Sequence, residues 1–182
     1  GLVLAFGCFA VNIVVVLLLS EDYLADSGVG RGIGAWAIAI ASVPAMLSKP
    51  LWGILIDKHP AKPLAALSAS ATGFSLALIV FAALSEDLVL VYIGYVLLGL
   101  GWGGMLPMQE VIWASFFGRR YIGSIRGAAM PFSLALSAPI PWLVSYYRDF
   151  TGGYHEAFFA VAALNILSGL MIFFVPKPRR SI

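Results

Sequence analysis

The chain has 182 residues, of which 61% are hydrophobic and only 11% charged, and its net charge is +2. A soluble domain carries roughly 25% charged residues, and one of this size buries only about 70% of its chain surface, so a mean hydropathy of +0.95 excludes a soluble domain, a disordered region and a nucleic-acid-binding protein. It predicts a polytopic membrane protein.

The apolar run 1–20 begins at Gly1. No methionine or basic n-region precedes it, so it does not read as a signal peptide. Ala5-Phe6-Gly7-Cys8 is a poor lipoprotein box, because Phe6 is bulky just before the small residue. The expectation is a chain cut inside a transmembrane helix, with sequence missing upstream. Cys8 is the single cysteine, which excludes an intrachain disulfide and a cysteine metal cluster.

A helix crosses the hydrocarbon core with about 20 apolar residues. Six segments meet that length: 1–20, 32–56, 63–84, 88–115, 125–147 and 155–175. Turn and charge chemistry separates them at Ser20 to Arg31, Asp57 to Lys62, Ser85 to Asp87, Phe117 to Ser124, and Arg148 to Glu156. The runs are too long for strands and do not alternate, and lipid admits only helices or closed barrels. The fold class is therefore an all-α integral membrane bundle of six transmembrane helices.

The first span carries Asn12 and the second carries Ser48 and Lys49. The fourth holds Gly94, Gly99, Gly101, Gly103, Gly104 and then Pro107. Gly99 and Gly103 form a small-xxx-small pair suited to close helix packing; such a helix can also bend beside a substrate path. Pro131, Pro139 and Pro141 predict a kink in the outer half of the fifth span. Asn12, Ser48, Gln109 and Asn165 are candidates for interhelical hydrogen bonds or ligand contacts.

Lys49 and Glu110 are the main ionisable residues within spans. Counted back from Asp57 and Arg119, they lie about 12 and about 13 Å deep by helix rise, which permits a Lys49–Glu110 pair. Lys49 either snorkels to the headgroups or faces a cavity and binds an anion. Glu110 either lines the same cavity or packs with Gln109. His59 and His155 fall in loops without companions at metal-ligand spacing. No nucleophile elbow, phosphate loop or zinc-protease motif is present, so neither an enzyme nor a cofactor is expected.

The basic residues divide nine against two. Lys49, Lys58, Lys62, Arg119, Arg120, Arg126, Lys177, Arg179 and Arg180 fall on one side, and Arg31 and Arg148 on the other. The positive-inside rule then makes 57–62, 117–124 and the tail 176–182 cytoplasmic. Glu21, Asp22, Asp26, Glu86, Asp87, Asp149 and Glu156 fall outside. Trp36, Tyr92, Tyr146 and Tyr147 near the outer ends suit an aromatic belt.

The segment Gly53-Ile-Leu-Ile-Asp57-Lys58-His59-Pro60-Ala61-Lys62 resembles the loop signature Gly-x-x-x-Asp-Arg/Lys-x-Gly-x-Arg/Lys-Arg/Lys of the major facilitator superfamily. Gly53, Asp57, Lys58 and Lys62 match; Pro60 and Pro63 depart from it. The position, between the second and third spans, is the one that the superfamily uses. There a small Gly53 lets a neighbouring helix approach and Asp57 faces a helix N-terminus. The fifth span near Ile125 and Arg126 is the expected partner of this inner latch.

Lys49-Pro50-Leu51-Trp52-Gly53 resembles the basic–Pro–x–x–Gly pattern on the eighth helix of monocarboxylate and oxalate/formate-type transporters, where the basic residue receives the substrate carboxylate. In proton-coupled members an acid lies one turn earlier; here Ala45 stands there. Phe117-Gly118-Arg119-Arg120-Tyr121-Ile122-Gly123-Ser124-Ile125-Arg126-Gly127 is similar to the inner loop before the eleventh helix of bacterial members. Asp149-Phe150-Thr151-Gly152-Gly153-Tyr154 is similar to their outer turn before the last helix.

The resemblance implies helices seven to twelve of a twelve-helix transporter, as two inverted three-helix repeats, 1–84 and 85–182. A missing N-terminal six-helix half completes the cavity. Residence in a bacterial inner membrane, with the lipid bilayer and a small-molecule anion as partners, follows as an expectation. Lys49, Glu110 and Asn12 are the expected substrate contacts, and Gly53, Asp57, Lys58, Lys62 and Arg126 the latch. The alternatives are a superfamily transporter of a neutral or drug-like substrate, and a non-transporting membrane receptor or interaction module.

Overall fold

The computed structural model describes residues 1–118, 120 and 122–176. Arg119, Lys177, Arg179 and Arg180, counted above with the basic side, lie outside the described residues, as do Tyr121 and the side chain of Arg31. The described residues form α1 (Leu2–Asp26), α2 (Arg31–Lys58), α3 (Ala61–Leu84), α4 (Leu88–Phe117), α5 (Ile122–Ser137), α6 (Ile140–Thr151) and α7 (His155–Phe174), and no strand occurs among them. Six spans are long and apolar enough to cross a membrane, with α5 and α6 together making the fifth.

Local chemistry ends these helices. The Asp87 carboxylate caps α4 by accepting from the Leu90 N–H at 3.1 Å. Gly118 and Gly152 follow α4 and α6 at φ of 83° and 81°, a conformation that a β-carbon disfavours. α1 runs on to Asp26 and α2 to Lys58, so Asp57 and Lys58 are helical rather than in a loop.

The fifth span is not merely kinked but divided, with α5 stopping at Ser137 and α6 starting at Ile140. Pro139 and Pro141 have no N–H to give to the carbonyls of Ala135 and Ser137. A new helix begins with the Leu143 N–H donating to the Pro139 carbonyl at 3.0 Å. The glycine-rich fourth span, by contrast, is one continuous helix.

α3 packs chiefly on α4 and α7, α2 on α4, and α1 on α7, α5 and α2. Exchanging the triplet α1–α3 with α4–α7 turns the α2–α4 contact into that of α5 and α6 with α1. It turns α3–α4 into α7–α1 and leaves α3–α7 unchanged, as two inverted repeats require. α3 and α7 are thus central supports. The second and fifth spans are the least buried.

Two apolar layers fill the interior. The layer at the acidic end includes Val15, Leu76, Ile79, Tyr95, Leu98 and Phe158. The layer at the basic end includes Phe6, Phe9, Leu64, Met105, Met108 and Ile172. Between them lie small and polar residues: Asn12, Ser68, Thr72, Asn165 and Ser168 are all buried. Hydroxyls there bond across helices to backbone carbonyls, Ser68 to Gly101 at 2.7 Å and Ser168 to Ala5 at 2.8 Å.

The α2–α4 contact explains the glycines. A β-carbon on Gly99 would collide with the Ala41 carbonyl, and one on Gly103 with Ser48 Oγ and the Ala45 carbonyl. Trp52 Nε1 and Ser48 Oγ both donate to the Leu100 carbonyl, at 2.8 and 3.3 Å. Gly99 and Gly103 are therefore packing residues. Gly53 differs: a β-carbon there meets nothing within 4 Å, so the helix approach expected at Gly53 is not made within this chain's described residues.

Gly99→Val should therefore cost about 1–3 kcal/mol, as overpacking does, and lower the thermal midpoint of the purified protein. Gly53→Ala should leave that midpoint unchanged.

Candidate functional site

Four helices, α5, α1, α4 and α2, form a face with α3 and α7 behind it. A cavity of about 260 Å³ opens between α1, α4 and α5. Ala10 and Val14 line it from α1, Gln109 and Trp113 from α4, and Arg126, Ser133 and Ser137 from α5. The α1 and α4 walls belong to helices that bury many of their residues, whereas α5 is largely uncovered. Arg126 enters because it sits in the second turn of α5, facing the hairpin partner α4.

Arg126 Nη1 meets Glu110 Oε1 at 3.0 Å, with the two side chains 57% and 38% exposed. An ion pair this accessible is worth little to stability. Its consequence is positional: Glu110 holds the guanidinium at the cavity while leaving other N–H donors unused. A guanidinium presents a planar fork of donors that matches a carboxylate. Gln109, Ser133 and Ser137 add neutral polar groups. The Ser137 hydroxyl already donates to the Ser133 carbonyl at 2.9 Å, so its oxygen is left as an acceptor. The buried Trp113 Nε1 has no hydrogen-bond partner among the described residues.

The Lys49–Glu110 pair does not form, because Glu110 meets Arg126 instead. The reason is depth. Ser48 packs at Gly103 and α2 and α4 run parallel, so Lys49 lies level with Gly104, six residues from Glu110. Six residues are about 9 Å along a helix. Lys49 is exposed, and no ion pair or hydrogen bond joins it to another described residue. It lies one residue round α2 from the stripe Ala41–Ala45–Ser48 that packs on α4.

Asn12 stands elsewhere. It is fully buried, and its Oδ1 accepts from Trp102 Nε1 at 2.9 Å. This is an interhelical bond between α1 and α4, and Asn12 is not among the cavity-lining residues. Its Nδ2 and both polar atoms of Asn165 have no partner among the described residues.

The expected contact between the α2 end and α5 is not made among the described residues. Asp57 and Lys58 are exposed at the end of α2. α2 packs on α1, α3 and α4, whereas α5 packs on α1, α4 and α6, so Asp57 has no helix end of α5 to face. Arg126 is engaged by Glu110. Lys62 donates to the Val175 carbonyl at the C-cap of α7, where a cation complements the helix dipole. His155, expected in a loop, is the first residue of α7, and Tyr23 Oη lies 3.3 Å from its Nδ1.

At the acidic end, Arg148 makes a forked pair with Asp26. Its Nε and Nη2 donate to Oδ2 and Oδ1 at 2.7 and 2.9 Å, joining α6 to α1. The residue sum predicted only that both lie at one end. No group of three or more His, Cys, Asp or Glu residues that could hold a metal occurs among the described residues.

Six apolar spans, a twofold exchange of helix triplets, a divided fifth span and a partly polar cavity define a membrane-transporter bundle. The sequence profile of the Major Facilitator Superfamily matches residues 1–182, the whole of this chain, and the chain belongs to that superfamily. Its members are transporters rather than enzymes. A search of curated proteins finds no match.

Trp102→Phe removes the one side-chain hydrogen bond that Asn12 makes among the described residues, and should destabilise the protein by about 1–2 kcal/mol, the range for hydrogen bonds between membrane helices. Adding Asn12→Leu should recover much of that loss, because an apolar pair leaves no polar atom stranded. Thermal unfolding of both variants in detergent checks this, and equal stability of Trp102→Phe and the parent would remove the bond from the account.

Proposed function

We propose that this chain forms part of a secondary transporter of a small organic anion, monocarboxylate-like, working by alternating access with a second six-helix half. The observation that carries the reading is Arg126, which lines the cavity between α1, α4 and α5 while held by Glu110. A substrate carboxylate competes with Glu110 for the guanidinium fork. Lys49, exposed on α2, is the second cation, and it takes the substrate from the side where the other half closes the cavity. Gly53, Asp57 and Lys58 present an uncovered helix end to that same half. The basic end, with the α2–α3 and α4–α5 connections, faces the cytoplasm in this proposal.

One observation favours a second reading. Glu110 already neutralises Arg126, as a path for a neutral substrate would require. A panel of small carboxylates and their uncharged amides separates the two.

In proteoliposomes of the full protein that carries this chain, Arg126→Gln and Lys49→Gln should each cut carboxylate uptake at least tenfold with expression unchanged. Parental uptake in both variants, or equal uptake of the amides by the parent, would sink the anion reading.

A further inference from the structure

A second cavity belongs to neither the substrate path nor the latch. It lies at the acidic end between α6 and α7, has a volume of about 600 Å³, and is floored by Val11 of α1. Leu143 lines it from α6, and Ala160 and Leu164 from α7. Tyr147 and Glu156 stand among the lining residues nearest the helix ends at the acidic end.

The cause is the divided span. Pro139 and Pro141 restart the helix as α6, and α6 then makes few contacts with α7. An apolar gap of this size inside a bilayer is not left empty, because its walls would forfeit their dispersion contacts. It also cannot be filled by irregular backbone, whose polar groups would be stranded in hydrocarbon. A hydrocarbon chain satisfies both conditions.

Glu156 supplies the selectivity. It is exposed in the first turn of α7, and no ion pair or hydrogen bond joins it to another described residue. The described basic side chain of this end, Arg148, is committed to Asp26. The groove therefore offers an apolar trough whose lining includes, toward the acidic end, the Glu156 carboxylate, unpaired among the described residues, and Tyr147. A ligand complementary to both has an acyl chain and a primary ammonium with N–H donors.

We propose that the α6–α7 groove is a lipid site for one acyl chain of an amine-headgroup phospholipid, with the ammonium on Glu156. A phosphatidylglycerol headgroup lacks the ammonium and brings an anion against Glu156. A choline headgroup carries charge but no N–H donor.

The test is native mass spectrometry of the full protein that carries this chain, delipidated and then titrated with phosphatidylethanolamine, phosphatidylcholine or phosphatidylglycerol. One tightly retained phosphatidylethanolamine is expected, held at least fivefold better than either other lipid. Glu156→Gln should remove that preference and keep the acyl-chain binding. Ala160→Phe should fill the trough and abolish the retained lipid; Leu143→Phe serves if the first variant does not fold. Equal retention of the three lipids by the parent, or an unchanged preference in Glu156→Gln, would overturn the proposal. So would a photoreactive group at Leu143 that crosslinks to protein rather than to lipid, because another helix would then cover the groove.

Discussion

Helices in a membrane gain nothing from hiding apolar surface from water, so their association depends on how closely their backbones approach. That constraint organises this molecule. Gly99 and Gly103 of α4 admit Ala41, Ala45 and Ser48 of α2. Gly101 admits Ser68 and Thr72 of α3; Gly73 of α3 admits Ala162 and Ile166 of α7; and Gly169 of α7 admits Ala66 and Ser70 of α3. The Gly101 and Gly103 approaches lie near the middle of α4, at the level of the small and polar layer. Close approach there brings hydroxyls within reach of carbonyls, and the Ser68–Gly101 bond is its product.

The fifth span escapes this constraint. Only Gly7 of α1 lies against α5, where a β-carbon would meet Leu136. Gly123 and Gly127 at the start of α5 have open space around them. A loosely held span, divided in its middle by Pro139 and Pro141, leaves cavities on both of its sides. Towards α1 and α4 the cavity is lined by Arg126, whose guanidinium is paired with Glu110. Towards α7 it is apolar and ends at Glu156. The forked Arg148–Asp26 pair keeps α6 attached to α1 at the acidic end. α3 and α7 thus carry much of the helix packing, while the second and fifth spans are the least buried.

Hydropathy alone marks all six spans, because each needs about 20 apolar residues and the breaks carry charge or turn residues. Pro139 and Pro141 mark the division of the fifth span, since a missing N–H acts locally. The glycine spacing marks the α2–α4 contact. Side-chain partners were less legible. Depth counted from Asp57 put Lys49 level with Glu110, but the two helices meet in a different register. Glu110 and Arg126 flank the short connection between α4 and α5, and reading those spans as a hairpin would have paired them. Asn12 offered no sign of Trp102, because a single buried amide does not name its donor. The loop signature at Gly53 and Asp57 names no partner helix, and α2 and α5 belong to opposite edges of the bundle. That topology follows only from the packing of α2 on α4 and of α5 on α1.

The central claim is that the α1–α4–α5 cavity lies on the path of a small carboxylate. Ser133, half-buried on its wall, gives the most direct access to it. In the full protein with Cys8 and any other cysteine replaced, Ser133→Cys should react with a water-soluble, membrane-impermeant thiol reagent. A small monocarboxylate should slow that reaction in a concentration-dependent way, while its uncharged amide should not. A thiol that stays unreactive, or one whose labelling rate ignores the carboxylate, would contradict the account.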